Sequence, residues 1–442
     1  MPSDEIVPDT IAAVATPAGR GGIGIVRVSG PRAEAIAAVV AGGILEPRRA
    51  VLRSFLNRAG EEIDRGLALY FPAPRSYTGE AVLELHGHGG AVVSQILLAA
   101  VLDAGARLAE PGEFTRRAYL NGRLDLAQAE AVADLIDAAS ETAARSALRS
   151  LSGEFSSALH GLVAELIELR VLVEALLDFP EEDVESLHRE DARSRLQRLR
   201  AGLDSIVAKS RQGSLLRGGI HVVLAGRPNV GKSSLLNRLA GEERAIVSPV
   251  PGTTRDALRE PMQIDGVPMV LVDTAGLRES RDEVERLGMA RTEQELQGAD
   301  VVLVVFEAGR PEAPPDPLPD SRRRITVFNK IDLVAGGVPG RHGDAVHVSA
   351  KTGAGVEALR AALLEAVGWD GSGESVFLAR ERHLRALQAT RRHLEAAAGE
   401  TGRWEFCAEE LRLAQEALGS ITGRVSAEDL LGEIFSRFCI GK

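Results

Sequence analysis

Gly226-Arg227-Pro228-Asn229-Val230-Gly231-Lys232-Ser233 is the stretch whose reading decides the fold. It follows a β-type run, Val222-Val223-Leu224, and precedes an apolar helical run, Leu235-Leu236-Asn237-Arg238-Leu239. Glycines at these positions let backbone N–H groups wrap phosphate oxygens. Lys232 neutralises β/γ charge, and Ser233 offers a hydroxyl to magnesium.

Three companions lie further along the chain. Asp273-Thr274-Ala275-Gly276 follows a buried strand and places a carboxylate near the metal and a glycine amide near the γ-phosphate. Asn329-Lys330-Ile331-Asp332 follows another, where Asp332 accepts both N–H donors of a guanine edge and the Lys330 stem packs on the ring. Adenine lacks the second donor and would leave a buried carboxylate unpaired. Ser349-Ala350-Lys351 supplies backbone contact to the base. Each alone reads as a turn; in this order and spacing they predict a GTP-binding domain. The β-type runs Ile220–Ala225, Met269–Val272, Val301–Phe306, Ile325–Phe328 and Val346–Val348 predict a doubly wound, mostly parallel sheet over residues 218–370.

Hydrolysis needs a further component. In Ras-type enzymes a Gln after the Asp-x-x-Gly run orients the attacking water, but here Leu277 stands there and cannot hydrogen-bond it. Spacing offers Asn229 and the run Ser248-Pro249-Val250-Pro251-Gly252-Thr253-Thr254-Arg255-Asp256, with Thr253 or Thr254 able to cap magnesium. Glu285 is an acidic candidate, although its first reading is a solvated helix face.

Around this domain the character changes twice. Residues 1–122 alternate short β-type runs with the apolar helix-like run Ala91–Ala104, which predicts a compact α/β domain. Residues 123–217 and 371–442 carry helical periodicity, so the nucleotide domain reads as an insertion in an all-α domain. The chain has 442 residues, 45% hydrophobic and 26% charged, which excludes a disordered protein. Its net charge of −11 forms no basic block, so any RNA partner needs a local patch or a basic partner protein. Ala91–Leu102 is too short to span a bilayer, and the acidic first ten residues lack a signal-peptide pattern. A cytoplasmic, membrane-free protein is expected. Only 5 of the 52 basic residues are Lys, and Lys232, Lys330 and Lys351 fall in the nucleotide motifs, where a compact ammonium is wanted.

Two other regions invite a site. Gly19-Arg20-Gly21-Gly22-Ile23-Gly24 matches a dinucleotide-binding string, but a strand-like Ile25-Val26-Arg27-Val28 follows it where a helix is required. Arg27 and Glu84 lie inside apolar runs and must each pair, with protein or with ligand. His86 and His88 flank a tight turn, and a metal site would need further ligands. At the far end, Phe438-Cys439-Ile440-Gly441-Lys442 fits a prenylation box poorly, and a lone Cys reads first as a buried packing thiol.

Taken together, Gly226–Ser233, Gly252–Asp256, Asp273–Gly276, Asn329–Asp332 and Phe438–Lys442 resemble the tRNA modification GTPase family called MnmE or TrmE. Thr16–Gly22, Pro111–Thr115 and Leu124–Glu130 resemble it too, so the likeness runs end to end. It implies an N-terminal folate-binding and dimerisation domain, 1–122, a helical domain in two parts, 123–217 and 371–442, and an inserted Ras-like G domain, 218–370. It implies a homodimer whose FAD-dependent partner helps add an aminomethyl or carboxymethylaminomethyl group to C5 of the wobble uridine of certain tRNAs. A tetrahydrofolate derivative, in 5-formyl or 5,10-methylene form, is the implied one-carbon donor.

Carried over by residue, GTP would be held by Asn229, Val230, Gly231, Lys232, Ser233, Ser234, Ser248, Thr253, Thr254, Asp273, Thr274, Ala275, Gly276, Asn329, Lys330, Asp332, Ser349, Ala350 and Lys351. Magnesium would take Ser233 and Thr254. Potassium would take Asn229, Ser248, Val250 and Thr253, and stand in for an arginine finger. Glu285 would orient the water indirectly, which replaces its solvated-face reading. Folate would meet Arg27, Glu84, Lys442 and Arg123, the last an Arg where the family usually has Lys. Cys439 matches the family's terminal Cys, with its role in the modification left open. The alternative is a ribosome-assembly or RNA-binding regulatory GTPase without modification chemistry, which needs neither the folate pocket nor the terminal Cys-Ile-Gly-Lys.

Overall fold

The structure, a computed structural model, describes residues 9–178, 185–242, 259–273, 294–310, 323–371, 376–399, 403–423, 428–436, 438, 439 and 441. Their contacts form two compact units, Met1–Ala133 with Gly419–Lys442, and Asp134–Leu418. This grouping takes the two ends of the sequence-defined helical segments, 123–133 and 419–442, into the N-terminal unit. The reason is a small core in which Leu126 and Ala129 meet Ile434, Phe435 and Phe438.

In the first unit, strands β1 (Ile11–Val14), β2 (Gly24–Ser29), β3 (Val51–Leu56), β4 (Glu62–Phe71), β5 (Val82–Gly87) and β6 (Arg107–Leu108) form one sheet in the order β3-β4-β5-β2-β1-β6. Helices α1 (Ala33–Val40) and α2 (Ala91–Asp103) supply Ile36, Ala37, Leu97 and Val101 to a core shared with Val26, Val28, Leu83 and Leu85. Successive strand residues point to opposite faces. With Val26 and Val28 packed inward, Arg27 must face outward; with Leu83 and Leu85 inward, so must Glu84. Helices α3 (Glu113–Leu120) and α4 (Leu126–Ile136) follow.

The second unit contains α5 (Glu141–Leu151), α6 (Glu154–Asp178) and α7 (Glu185–Gly218) before the inserted domain, and α10 (Glu381–Gly399) and α11 (Trp404–Thr422) after it. The first unit closes with α12 (Glu428–Ser436). The insertion runs β7 (Ile220–Ala225), α8 (Lys232–Glu242), β8 (Arg259–Ile264), β9 (Val267–Asp273), β10 (Val301–Glu307), β11 (Arg323–Asn329), β12 (Gly340–His342), β13 (Ala345–His347) and α9 (Val356–Val367). Its sheet order is β12-β13-β11-β10-β7-β9-β8. The pairs β7–β9, β7–β10, β10–β11 and β11–β13 are parallel, and the edge pairs β8–β9 and β12–β13 are antiparallel.

Val222, Leu224, Leu303 and Val305 fill one face of this sheet, and Val223, Val272, Val302 and Val304 fill the other. Burial on both faces is why these strands read as unbroken apolar runs. The strand order reverses between β7 and β10, so the crevice at their carboxyl ends is the place for a ligand. Among the described residues, no helix is long and apolar enough to cross a membrane.

Candidate functional site

The loop from β7 to α8 occupies that crevice. Gly226 has φ +152°, and a Cβ there would run into the Val305 carbonyl oxygen, so only glycine lets the strand turn this close to β10. Asn229 sits in the left-handed region at φ 66°. The first N–H groups of α8 and the positive end of its dipole lie immediately after the loop. Lys232 is buried, and its ammonium donates to the carbonyl oxygens of Gly226 (2.7 Å) and Arg227 (2.9 Å). The Ser233 hydroxyl donates to Asp273 Oδ2 at 2.6 Å, which joins the P-loop to the end of β9.

The base-recognition motifs meet at the ends of β11 and β13. Asn329, 2% exposed, donates to Val230 O (2.9 Å) and accepts from the Ala350 N–H (3.0 Å). Asp332 accepts from the Ser349 hydroxyl at 2.6 Å. The Lys330 ammonium pairs with Glu307 Oε2 at 2.6 Å, and that hydrogen bond holds the Glu307 carboxyl below its ordinary value. Arg238, on α8, donates to the carbonyl oxygens of Ala350 (3.0 Å) and Lys351 (2.8 Å) and so fixes the last motif.

Thus Val230, Gly231, Lys232, Ser233, Asp273, Asn329, Asp332, Ser349 and Ala350 come together as the sequence suggested. Ser248, Val250, Thr253, Thr254, Thr274, Ala275, Gly276, Leu277, Glu285 and Lys442 lie outside the described residues. Glu307 and Arg238 were missed. Both act through contacts distant in sequence, and nothing local marks them.

In the first unit, Arg27 and Glu84 are direct cross-strand partners on β2 and β5. The guanidinium donates to Glu84 Oε1 at 2.9 Å, and Glu84 Oε2 lies 3.3 Å from His86 Nε2. Mutual pairing was one of the two readings left open by sequence. Arg27 also donates to the Gly441 carbonyl oxygen at 3.4 Å and lies 5.8 Å from the Tyr77 ring centroid. Arg123 is placed beside Tyr77 in an open hollow that also takes in Arg48, Phe71, Arg75 and Ser76. His88 pairs with Asp64 at 2.7 Å, across the turn between the sheet and α2.

The C-terminal residues are seated on this unit. Phe435 and Phe438 are buried with ring centroids 5.5 Å apart, and a Cβ on Gly112 would come within 2.6 Å of Phe435 O. Gly441 has φ +98° and is buried; a Cβ there would sit 2.5 Å from Val14 O. Close packing thus holds Gly441 in place. Cys439 is corrected: its thiol is exposed, while Cys407 is the buried one, its thiol pushed up to about 11 by burial.

Comparison with known proteins matches the chain in two parts. The family model described as the MnmE helical domain matches residues 126–439, and that of the GTP-binding protein TrmE N-terminus matches residues 10–123. The tRNA modification GTPase MnmE of Ralstonia nicotianae is 56% identical, covering 98% of this chain and 96% of its own. That of Azoarcus sp. is 58% identical, covering 98% of each. Among solved structures, the G domain of the T. maritima FeoB iron transporter is 27% identical, covering 33% of this chain and 98% of its own, with a TM-score of 0.23.

Proposed function

From the premise that the chain belongs to the MnmE family of tRNA modification GTPases and is a GTPase acting in tRNA modification, we propose a finer assignment. It is a potassium-activated enzyme that, as a homodimer with a FAD-dependent partner, adds an aminomethyl or carboxymethylaminomethyl group to C5 of the wobble uridine of certain tRNAs in the cytoplasm.

The observation that carries this reading is the meeting of Arg27, Glu84 and the Gly441 carbonyl in one place. A regulatory switch without modification chemistry has no use for a C-terminal tail seated against a paired Arg and Glu. Charged groups held on a sheet face beside an aromatic ring suit a folate: Glu84 can accept from ring N–H groups, and Arg27, Arg123 and Lys442 can meet its polar edge and carboxylates. The folate would supply the one-carbon unit. Cys439 lies in the same tail, next but one to Gly441.

In the G domain, Ser233 Oγ and Asp273 form an oxygen pair that fits a small hard cation, with Thr254 as a further ligand. Lys232 is buried and already turned toward the loop carbonyls, so it exchanges those contacts for phosphate oxygens. Asn329 holds the P-loop and the Ser349–Lys351 loop together, and Asp332 reads the guanine edge. The side-chain carbonyl of Asn229, with oxygens of Ser248, Val250 and Thr253, would hold potassium, which supplies the positive charge an arginine finger supplies elsewhere. Glu285 would position water through an intermediary, in place of the Gln that Leu277 replaces.

The test is to measure GTP turnover in potassium and in sodium at constant ionic strength, and wobble-uridine products by mass spectrometry in cells carrying Arg27→Ala. Turnover should fall at least about tenfold in sodium, and the modified nucleoside should disappear in the variant. Equal rates in both salts refute the potassium assignment. An unchanged nucleoside refutes the folate site.

A further inference from the structure

Several guanidiniums of the N-terminal unit are spoken for. Arg27 pairs with Glu84, Arg49 with Glu46, Arg107 with Asp9 and Glu113, and Arg117 with Asp9, Glu80 and Glu113. Arg48, Arg75 and Arg123 differ: they line one open hollow of about 650 Å³, and none has a carboxylate partner among the described residues. Gathering three uncompensated cations costs energy, even at a surface, unless an anion joins them.

The hollow is built as well as charged. Arg48 holds a left-handed backbone at φ 62°, which a long side chain rarely adopts. Its N–H donates to Tyr70 O at 2.8 Å, its guanidinium donates to the Arg75 carbonyl, and it lies 5.8 Å from the centroid of the Phe71 ring. Phe71 and Tyr77 give the hollow two aromatic walls. Tyr77 is shared, since Arg27 stacks on it from the Arg27–Glu84 side. The hollow therefore begins where the proposed folate site ends.

We propose that Arg48 and Arg75, together with Arg123, bind the carboxylate-rich tail of the folate, a chain of γ-linked glutamates, with the aromatic walls beside its benzoyl ring. This deepens the folate reading above and rests on it. A folate tail gains one carboxylate per added glutamate, and a guanidinium fork takes carboxylates two-pronged. A nucleic-acid backbone would call for an extended basic track, whereas this hollow gathers its three guanidiniums in one place.

The experiment measures, by calorimetry on the full chain, the affinities for 5-formyl-tetrahydrofolate as monoglutamate and as triglutamate. The wild-type protein should prefer the triglutamate about tenfold, and the preference should shrink as salt rises. Arg48→Gln and Arg75→Gln should each cut that ratio to about threefold or less, Arg75→Lys should keep part of it, and Arg75→Glu should reverse it. The ratio is taken within one variant, so a variant that still binds monoglutamate reports the tail and not its own folding. A wild-type ratio near one overturns the proposal, as does a ratio that survives in both Gln variants. A wild-type ratio near one with loss of tRNA affinity in those variants assigns the patch to nucleic acid instead. Failure of the wild-type protein to bind even the monoglutamate defeats the folate reading itself and this proposal with it.

Discussion

The side-chain amide of Asn329 donates to the carbonyl oxygen of Val230 at 2.9 Å, bridging residues 99 apart in sequence. Its own carbonyl accepts from Ala350 N–H at 3.0 Å. One buried side chain thereby ties the phosphate loop to both base-recognition loops, so phosphate and base sites move as a unit.

Asn329→Ala removes both links and leaves buried donors and acceptors unpaired. The G domain should lose about 2–3 kcal/mol, and affinity should fall for GTP and GDP alike. Urea melts with and without nucleotide, together with nucleotide titrations, check this. Unchanged affinity for both would mean the loops are held by other contacts.

Asp332→Asn should act on the choice of base. The substituted amide offers a donor where guanine also offers one, so GTP binding should weaken about a hundredfold or more. Xanthosine triphosphate, with an acceptor at that position, should gain in its place. Competition between the two nucleotides is the measurement, and retained GTP preference counts against the assignment.

Acid should loosen the N-terminal unit through the Asp9–Arg107–Glu113–Arg117 cluster. Burial alone would raise the Glu113 carboxyl, but hydrogen bonds from Arg107, the Glu110 N–H and Arg117 outweigh it and leave it below 4.5. Asp9 is likewise held below 3.8, with hydrogen bonds from Arg117 and Arg107 overcoming burial. Carboxyls lowered in the folded state stabilise it above their unfolded pKa values. That stabilisation begins to fade as pH falls past about 4.5 and is lost below the folded values. Glu113→Gln should cost about 2–3 kcal/mol at neutral pH and flatten this acid dependence. Hydrogen exchange of β1 and β2 against pH reads it, and identical pH slopes in variant and wild type would disprove it.

Which parts of the molecule the sequence disclosed follows from burial. β10 was legible because Val301–Val305 are buried on both faces, which leaves an unbroken apolar run. β8 was not, because an edge strand opening Arg259-Glu260-Pro261 has solvent on one side and no repeating pattern. α7 falls in a segment read as helical, but its bounds were not legible, since much of its length is polar or exposed. Arg27 and Glu84 were visible as charges in apolar runs, and strand register shows that they face each other. The gathering of Arg48, Arg75 and Arg123 was illegible: three separate loops bring it about, and no spacing encodes it.

The tail offers the last prediction. Phe435 and Phe438 anchor it, Gly112 and Gly441 permit close backbone approach, and the Gly441 carbonyl accepts from Arg27. None of these contacts uses the Cys439 thiol, and Cys439 is exposed while Cys407 is buried with its thiol raised to about 11. In the native protein one thiol should therefore react with maleimide at neutral pH, and the second only after unfolding. Cys439→Ser should keep GTP turnover within about threefold of wild type and sharply reduce the wobble modification. Gly441→Ala differs, because its Cβ would be driven to 2.5 Å from Val14 O and should unseat the tail. It should weaken folate binding along with modification, whereas Cys439→Ser should spare folate binding. Measuring turnover, folate affinity and the modified nucleoside on both variants separates seating from chemistry. If Cys439→Ser leaves the nucleoside at its normal level, the thiol takes no part in the reaction, and the tail serves only to place Gly441 against Arg27.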